Sequence, residues 1–370
     1  MANLAFNNIK IRALAAAVPD FTQTIDTSDP FLAKYVAQMG ISQRHISLTE
    51  QTALDLGYVA LKQALNQAGW DLSELDLIIF DSQTPDFNGG TGNAMLLHKY
   101  LKLREDQIAF DLSLGCPAFP YSLTTACCYL QQPSIKKVAV LNGDSFWWEY
   151  PNPESIKAEK SFVLGEATGV VLLERVTAEE NTVPSLSFQL FGNGEGYHHL
   201  YFCNTGIKHK WRKLDHYLLP DDEEFGSMDA GFAGHYMDGF AITYFATKKV
   251  GDHIKELFGT KIKNYDYYVF HQANKQIINA LAKRLELDSS KVLVSFDHYA
   301  NTSAASSIVT ICHNLTNLSA PCHIFNACMG VGLAWGYSDL VLDPNTVCPI
   351  VTTNHRFEDH YFRPLPAQAN

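Results

Sequence analysis

Residues 267–285 read YYVFHQANKQIINALAKRL. The run Tyr267–Phe270 is aromatic and β-branched with no polar interruption, which predicts a buried strand, and residues 272–286 read as a helix. His271 stands at the corner between them. The same alternation continues on both sides of this unit. Leu75–Phe80, Lys137–Asn142, Gly169–Leu173, Val292–Val294 and His323–Phe325 read as buried strands, and 52–68, 91–102, 117–131 and 240–258 as helices. Apolar strands interleaved with long helices predict a layered α/β fold.

The order of elements repeats loosely: a long helix, a buried strand ending at Asp81 or at His271, another helix, then a strand entering a polar or glycine-rich turn. Residue identities do not repeat. This suggests two similar halves, 1–178 and 179–345, divided near the charged, proline-containing stretch 175–185. Residues 192–236 break the pattern with aromatics, histidines and the acidic run Asp221–Glu224, as an insertion lining or covering a site would. The proline-bearing tail 346–370 has no periodicity and is expected to be peripheral.

With 370 residues, 46% of them hydrophobic, the chain can fill a sizeable core. A formal charge of −11 leaves no electrostatic footprint for nucleic acid or an anionic membrane. Lys157, Lys160 and the stretch Lys208–Lys213 could still form a local patch for an acidic carrier or a phosphate, against the ordinary reading as solvated lysines. No apolar run approaches the roughly 20 residues that span a bilayer. The start, MANLAFNNIKIRALAAAVPD, has no basic cluster before an apolar run that Lys10 and Arg12 interrupt, so a signal peptide is not expected and a cytoplasmic location is. The eight cysteines form no CxxC pair and are expected as reduced thiols; His355 and His360 lack ligand spacing, so no metal is expected.

Among the cysteines Cys116 is set apart. In DLSLGCPAFPYSLTTACCYL (111–130) it follows a strand-like run and precedes a helix opened by Pro117, where the helix dipole favours thiolate. Asn301, in HYANTSAASSIVTI, precedes a small-residue helix and could be no more than its cap. A Cys/His/Asn set has two chemical readings. It can hydrolyse an amide or ester with histidine as base, or it can transfer an acyl group to carbon, with cysteine as the carrier and two neutral donors stabilising an enolate oxygen.

Several runs in order separate these readings: DTSDPF near residue 28, GISQRHI from Gly40, GCPAF at Cys116, MDGFAITYFA from Met237, FHQANKQII at His271, NTSAAS from Asn301 and MGVGLAWG from Met329. Together, over roughly residues 8–343, they resemble the motifs of β-ketoacyl-acyl-carrier-protein synthase III. A papain-like reading lacks that family's tryptophan-bearing cysteine signature. The resemblance implies a thiolase-like five-layered αβαβα fold made of two halves, found as a homodimer. It implies Cys116 as the acylated nucleophile, His271 and Asn301 as donors to the thioester oxygen of the extender, and the backbone amides of Cys116 and Val331 as an oxyanion hole. Coenzyme A or acyl-carrier-protein thioesters would be substrates, with no metal or redox cofactor. Phe87, in TPDFNGG, lines up with a residue that reaches into the partner subunit's acyl pocket.

The chain also departs from the family. Phe31 stands where a tryptophan stacks on the adenine of coenzyme A, the arginine expected near Ile156–Ala158 is missing, and the insertion at 192–236 is longer. These changes favour a carrier-delivered or bulkier acyl donor. SFWWEYPNPES (145–155) adds bulk through Trp147 where an acyl tunnel would widen. Its Glu149 and Glu154 could supply a carboxylate for deprotonating a β-ketoacyl extender, as in ketosynthase/cyclase relatives that make dialkylresorcinol or stilbene precursors, against the plainer reading as solvent-facing glutamates. Two other functions stay open at this level: acyl transfer to oxygen or nitrogen, and a non-catalytic partner in a heteromeric synthase.

Overall fold

A computed structural model describes residues 3–28, 30–87, 90–146, 163–176, 186–202 and 235–358. Two six-stranded mixed sheets organise them. The strands in chain order are β1 (Leu4–Phe6), β2 (Ile9–Pro19), β3 (Thr22–Thr24), β4 (Gln43–His45), β5 (Leu77–Asp81), β6 (Ile108–Leu112), β7 (Lys137–Asp144) and β8 (Ala167–Arg175). There follow β9 (Leu186–Gly192), β10 (Leu200–Phe202), β11 (His235–Met237), β12 (Tyr267–Phe270), β13 (Val292–Leu293), β14 (Cys322–Gly330), β15 (Ala334–Leu342) and β16 (Val351–Thr353). The first sheet has the order β16-β2-β8-β7-β5-β6 and the second β1-β9-β15-β14-β12-β13.

Helices cover three levels. Helix α1 (Pro30–Met39) lies beside the helix over Lys275–Arg284. On the outer face of the first sheet lie α2 (Ala53–Ala68) and α3 (Asn93–Leu101), which bury Leu56, Ala60, Leu61 and Leu97 against Ile78, Phe80 and Leu141. Thr52 and Asp55 close α2 with a capping box, and Gly69 ends it in the left-handed conformation. Between the sheets lie α4 (Ala118–Tyr129) and a helix over Ser306–Asn314, whose Phe119, Leu123, Ile308 and Ile311 join one core with Val140, Val171, Ile324 and Leu340 from both sheets. Outside the second sheet, Gly239–Tyr244, a π-helical turn at Phe245–Val250, Gly251–Phe258 and Lys275–Arg284 bury Phe245, Ile254, Ile277 and Leu281 against Phe325 and Tyr337. The result is the expected α-β-α-β-α layering. Each sheet is apolar on both faces because each is covered on both.

Three features differ from the sequence reading or add to it. The amino-terminal run that Lys10 and Arg12 seemed to break is β2, an interior strand. Lys10 pairs with Asp343 at 2.7 Å and Arg12 pairs with Glu174, so the charges sit at one end of the strand while Ala13–Pro19 are fully buried. The tail expected to be peripheral is built in. Val351–Thr353 add a parallel edge strand to β2, Gln51 donates to the carbonyls of Thr353 and His355, and the Phe357 ring stacks on Tyr100 at 3.6 Å. The terminal strands also cross over, since β1 belongs to the second sheet and β16 to the first. The division near 175–185 falls largely on residues outside those described, as does 203–234 of the insertion, whose two feet pair as β10 and β11.

Candidate active site

The site is assembled from strand ends and the turns that follow them, where α/β folds present functional groups. Its spine is the end of β14. His271 leaves β12 with its amide bonded to the Ala327 carbonyl at 2.9 Å. Three residues further along β14, Gly330 lies against Cys116: a Cβ added at Gly330 would stand 2.4 Å from the Cys116 Cβ and 2.8 Å from its Sγ. Only a residue without a side chain lets the nucleophile loop approach this closely.

Cys116 precedes α4, with Pro117 at the N-cap position. It is half-buried, whereas Cys127, Cys312, Cys322, Cys328 and Cys348 are buried structural thiols and Cys128 is exposed. No disulfide links these seven, and Cys203 lies outside the described residues. The dipole argument for a thiolate is outweighed here. Burial first, and then the Asp144 carboxylate, push the Cys116 thiol up to about 12, although the backbone N–H groups of Val331 and of Cys116 itself point at Sγ and pull the other way. Those two amides are the pair expected to form the oxyanion hole. In the resting site they converge on the sulfur.

His271 is 3% exposed, and burial holds its imidazole down at about 4, so at neutral pH it is uncharged. Its Nδ1 lies 3.0 Å from the Ser306 hydroxyl, which already accepts the Gln272 amide at 3.1 Å. The hydroxyl proton is therefore free for Nδ1, and the ring proton is assigned to Nε2 by this network. Nε2 is buried and has no hydrogen-bond partner among the described residues. A neutral imidazole held in that tautomer is a donor waiting for an acceptor.

Asn301 is fixed through its backbone, donating to the Val163 carbonyl at 2.8 Å and accepting from Gly165 at 3.0 Å. Its side-chain oxygen accepts the Ser303 amide at 3.0 Å, so Nδ2 is the end of the amide with hydrogens to donate. The turn is bracketed by Ala300 and Ser303, both non-glycine residues at positive φ (56° and 47°), a conformation retained where surroundings enforce it. Gln83 closes the circuit. Its amide donates to the Ser303 hydroxyl at 2.7 Å while its carbonyl end packs against Gly115, next to Cys116.

Two model descriptions of protein families match the chain: 3-oxoacyl-[acyl-carrier-protein (ACP)] synthase III over residues 110–194, and the C-terminal part of the same synthase over 256–340. They cover Cys116, His271, Asn301 and Val331. Over these stretches the chain resembles the synthase III condensing enzymes. β-Ketoacyl-[acyl-carrier-protein] synthase III of Synechococcus sp. (strain RCC307) is 29% identical over 353 residues, 91% of this chain and 99% of that one. The chloroplastic synthase III B of Cuphea wrightii is 26% identical over 336 residues, 88% and 79% of the two chains. Among solved structures, the 3-oxoacyl-(acyl-carrier protein) synthase of Burkholderia xenovorans LB400 superposes with a TM-score of 0.82 at 23% identity, covering 95% of this chain and 99% of that one. Xanthomonas campestris OleA superposes with a TM-score of 0.71 at 17% identity, covering 92% and 99%. At these identities the superpositions establish the shared fold of the synthase III-like chain.

Of the other residues singled out in the sequence, Phe87 is half-buried against the core under α2 and α3. Phe31 lies in the first turn of α1, but its side chain is outside those described, and Trp147, Glu149, Glu154, Lys157 and Lys160 are outside the described residues altogether. Ser306 and Gln83 were missed. Ser306 is one of several small residues in NTSAASS with nothing local to mark it, and Gln83 acts across 220 positions of sequence. No helix among the described residues is long and apolar enough to cross a membrane.

Proposed function

We propose that this chain is an acyltransferase that loads an acyl group onto Cys116 and condenses it with a malonyl- or β-ketoacyl-type thioester. In this reading the sulfur attacks the donor thioester carbon, the carbonyl oxygen takes the negative charge between the Cys116 and Val331 amides, and the donor thiol leaves with the proton. A second thioester then places its carbonyl oxygen against Nε2–H of His271 and the Asn301 amide. Loss of carbon dioxide from a malonyl unit, or of a proton from a β-ketoacyl unit to a carboxylate such as that of Glu149 or Glu154, leaves an enolate whose charge these two donors hold. Its carbon attacks the acyl carbonyl, forming the carbon–carbon bond and releasing the Cys116 sulfur.

The observation that carries this reading is the buried His271 ring, with Nδ1 on the Ser306 hydroxyl and Nε2 without a partner among the described residues. An imidazole held neutral, with its proton on an unpartnered Nε2, is suited to donate to a developing oxyanion and poorly suited to take a proton from the thiol. That separates carbon–carbon bond formation from hydrolysis and from acyl transfer to oxygen or nitrogen, which need a base. The substrates are coenzyme A or acyl-carrier-protein thioesters, the chemistry requires no metal or redox cofactor, and the working unit is a homodimer. The test is product analysis after incubating the protein with an acyl thioester panel and a malonyl thioester. A product lengthened by a new carbon–carbon bond, absent with Cys116→Ala, supports the reading. An ester, an amide or free acid as the sole product contradicts it.

A further inference from the structure

The end of β7 carries a buried carboxylate that the reaction scheme does not use. Asp144 is fully buried. Its Oδ1 accepts the Ser82 hydroxyl at 3.0 Å, the Gln83 amide at 2.9 Å, and the Thr84 amide and hydroxyl at 3.3 and 3.1 Å. Its Oδ2 accepts the Ala304 amide at 3.2 Å and the Gln83 side chain at 3.4 Å, and the Ser303 hydroxyl donates to the carboxylate as well. One oxygen is thus held by the first half of the chain, and the other is bound chiefly by the second.

We propose that Asp144 is a positioning residue for the Cys116 chemistry: its carboxylate clamps the turn that carries Asn301 against the loop that carries Cys116, and sets a negative charge beside the resting thiol. The geometry carries the clamp, and the Asp144 carboxylate is, after burial, the group that pushes the Cys116 thiol up. Ser303 holds a positive φ of 47° and fixes the Asn301 side chain through its amide, and it is Ser303 and Ala304 that Asp144 grips. On the other side, Gln83 bonds Asp144 through its backbone amide and packs its side chain on Gly115. A clamp of this kind enforces a strained turn.

The ionisable groups around Asp144 are Asp81, at the end of neighbouring β5, and the Cys116 thiol, which Cys328 of β14 also faces. Asp81 has a single donor, the Leu114 amide, and its second oxygen is buried without a partner. Burial raises both carboxyls: Asp81, with one donor and other carboxylates beside it, is pushed well above the usual carboxylate range, whereas on Asp144 the donors from Ser303, Ala304, Gln83 and Ser82 oppose the rise and make it the readier of the two to ionise. With the proton on Asp81 and the charge on Asp144, the nucleophile rests as a thiol. It loses its proton as the acyl donor is attacked.

The proposal rests on Cys116 being the nucleophile, and its test separates the two claims. The rate of Cys116 alkylation by iodoacetamide is followed by intact mass from about pH 6 to 11, below the wild-type midpoint, with Cys116→Ala as the blank. In Asp144→Asn the alkylation rate at each pH is expected to rise about tenfold or more, as a midpoint lowered by about one pH unit gives, because the charge beside the thiol is gone. Ser303→Ala keeps that charge but loosens the clamp. Its alkylation rates should change less than those of Asp144→Asn, while condensation falls about tenfold and by more than acyl loading of Cys116 does. An Asp144→Asn profile superposing on that of wild type, at an unchanged melting temperature, would overturn the proposal. If Asp144→Asn does not fold, wild-type condensation by Ser303→Ala overturns it. The alkylation arm reads the coupling of Asp144 to Cys116 even if the reaction is not a condensation.

Discussion

Cys116 and His271 are held by their surroundings in neutral forms, the thiol because burial and Asp144 oppose its charge and the imidazole because burial does. That assignment divides the labour of the site. Removing a donor to the enolate should harm the second half-reaction and spare the first. His271→Ala and Asn301→Ala are each expected to lower condensation by roughly a hundred- to a thousandfold, as loss of one oxyanion donor does, while Cys116 still accepts its acyl group. Single-turnover loading measured beside steady-state product formation checks this; equal loss in both would mean that the pair serves the loading step. The candidate residues were legible in the sequence because Cys116 and His271 follow strand-like runs and Asn301 opens a small-residue stretch, within motifs that occur in one order. Their charge states were not, because the helix-terminus argument for Cys116 could not include Asp144, brought close only by folding.

At the scale of elements, the meeting of β14 with the loop before α4 depends on one missing side chain. A methyl group at Gly330 would stand 2.4 Å from the Cys116 Cβ, far inside contact distance, with no flexible side-chain end able to yield. Gly330→Ala should therefore displace the nucleophile loop, destabilising the fold by about 1–3 kcal/mol and reducing acyl loading more than tenfold. Melting curves and loading rates check the two effects separately; wild-type loading would show that the loop relaxes freely. The strand–helix alternation was legible because each sheet is covered on both faces, so its strands read as continuous apolar runs. β2 was not read as a strand, since its Lys10 and Arg12 look like interruptions until Asp343 and Glu174 are placed beside them. β16 is three residues long and is held by pairing with a strand more than 300 positions away, a contact that leaves no local pattern.

For the whole molecule, buried acids set the response to pH. Burial, and then the Asp55 carboxylate, push Asp86 up to about 7. A carboxyl raised in the folded state stabilises fully below its unfolded value, near 4, and that contribution is lost as pH rises through about 7. His271 acts at the acid end with the opposite sign: held down at about 4 from an unfolded value of 6.5, it costs stability as pH falls through that interval. Asp86→Asn keeps an acceptor for the Thr52 hydroxyl, which now bonds Asp86 at 3.1 Å, and removes the titration. Between pH 5 and 8 its melting temperature should fall less than that of wild type, by about 2–5 °C. Parallel melting curves across that range would remove Asp86 from the account.

The claim on which the rest depends is that Cys116 carries the acyl group. Intact-protein mass spectrometry of wild type and Cys116→Ala, after exposure to a panel of acyl-coenzyme A and acyl-carrier-protein thioesters, tests it directly. The expected result is a gain of one acyl group on wild type from at least one donor and none on Cys116→Ala. The same adduct on both proteins, or no adduct on wild type from any donor, would contradict it.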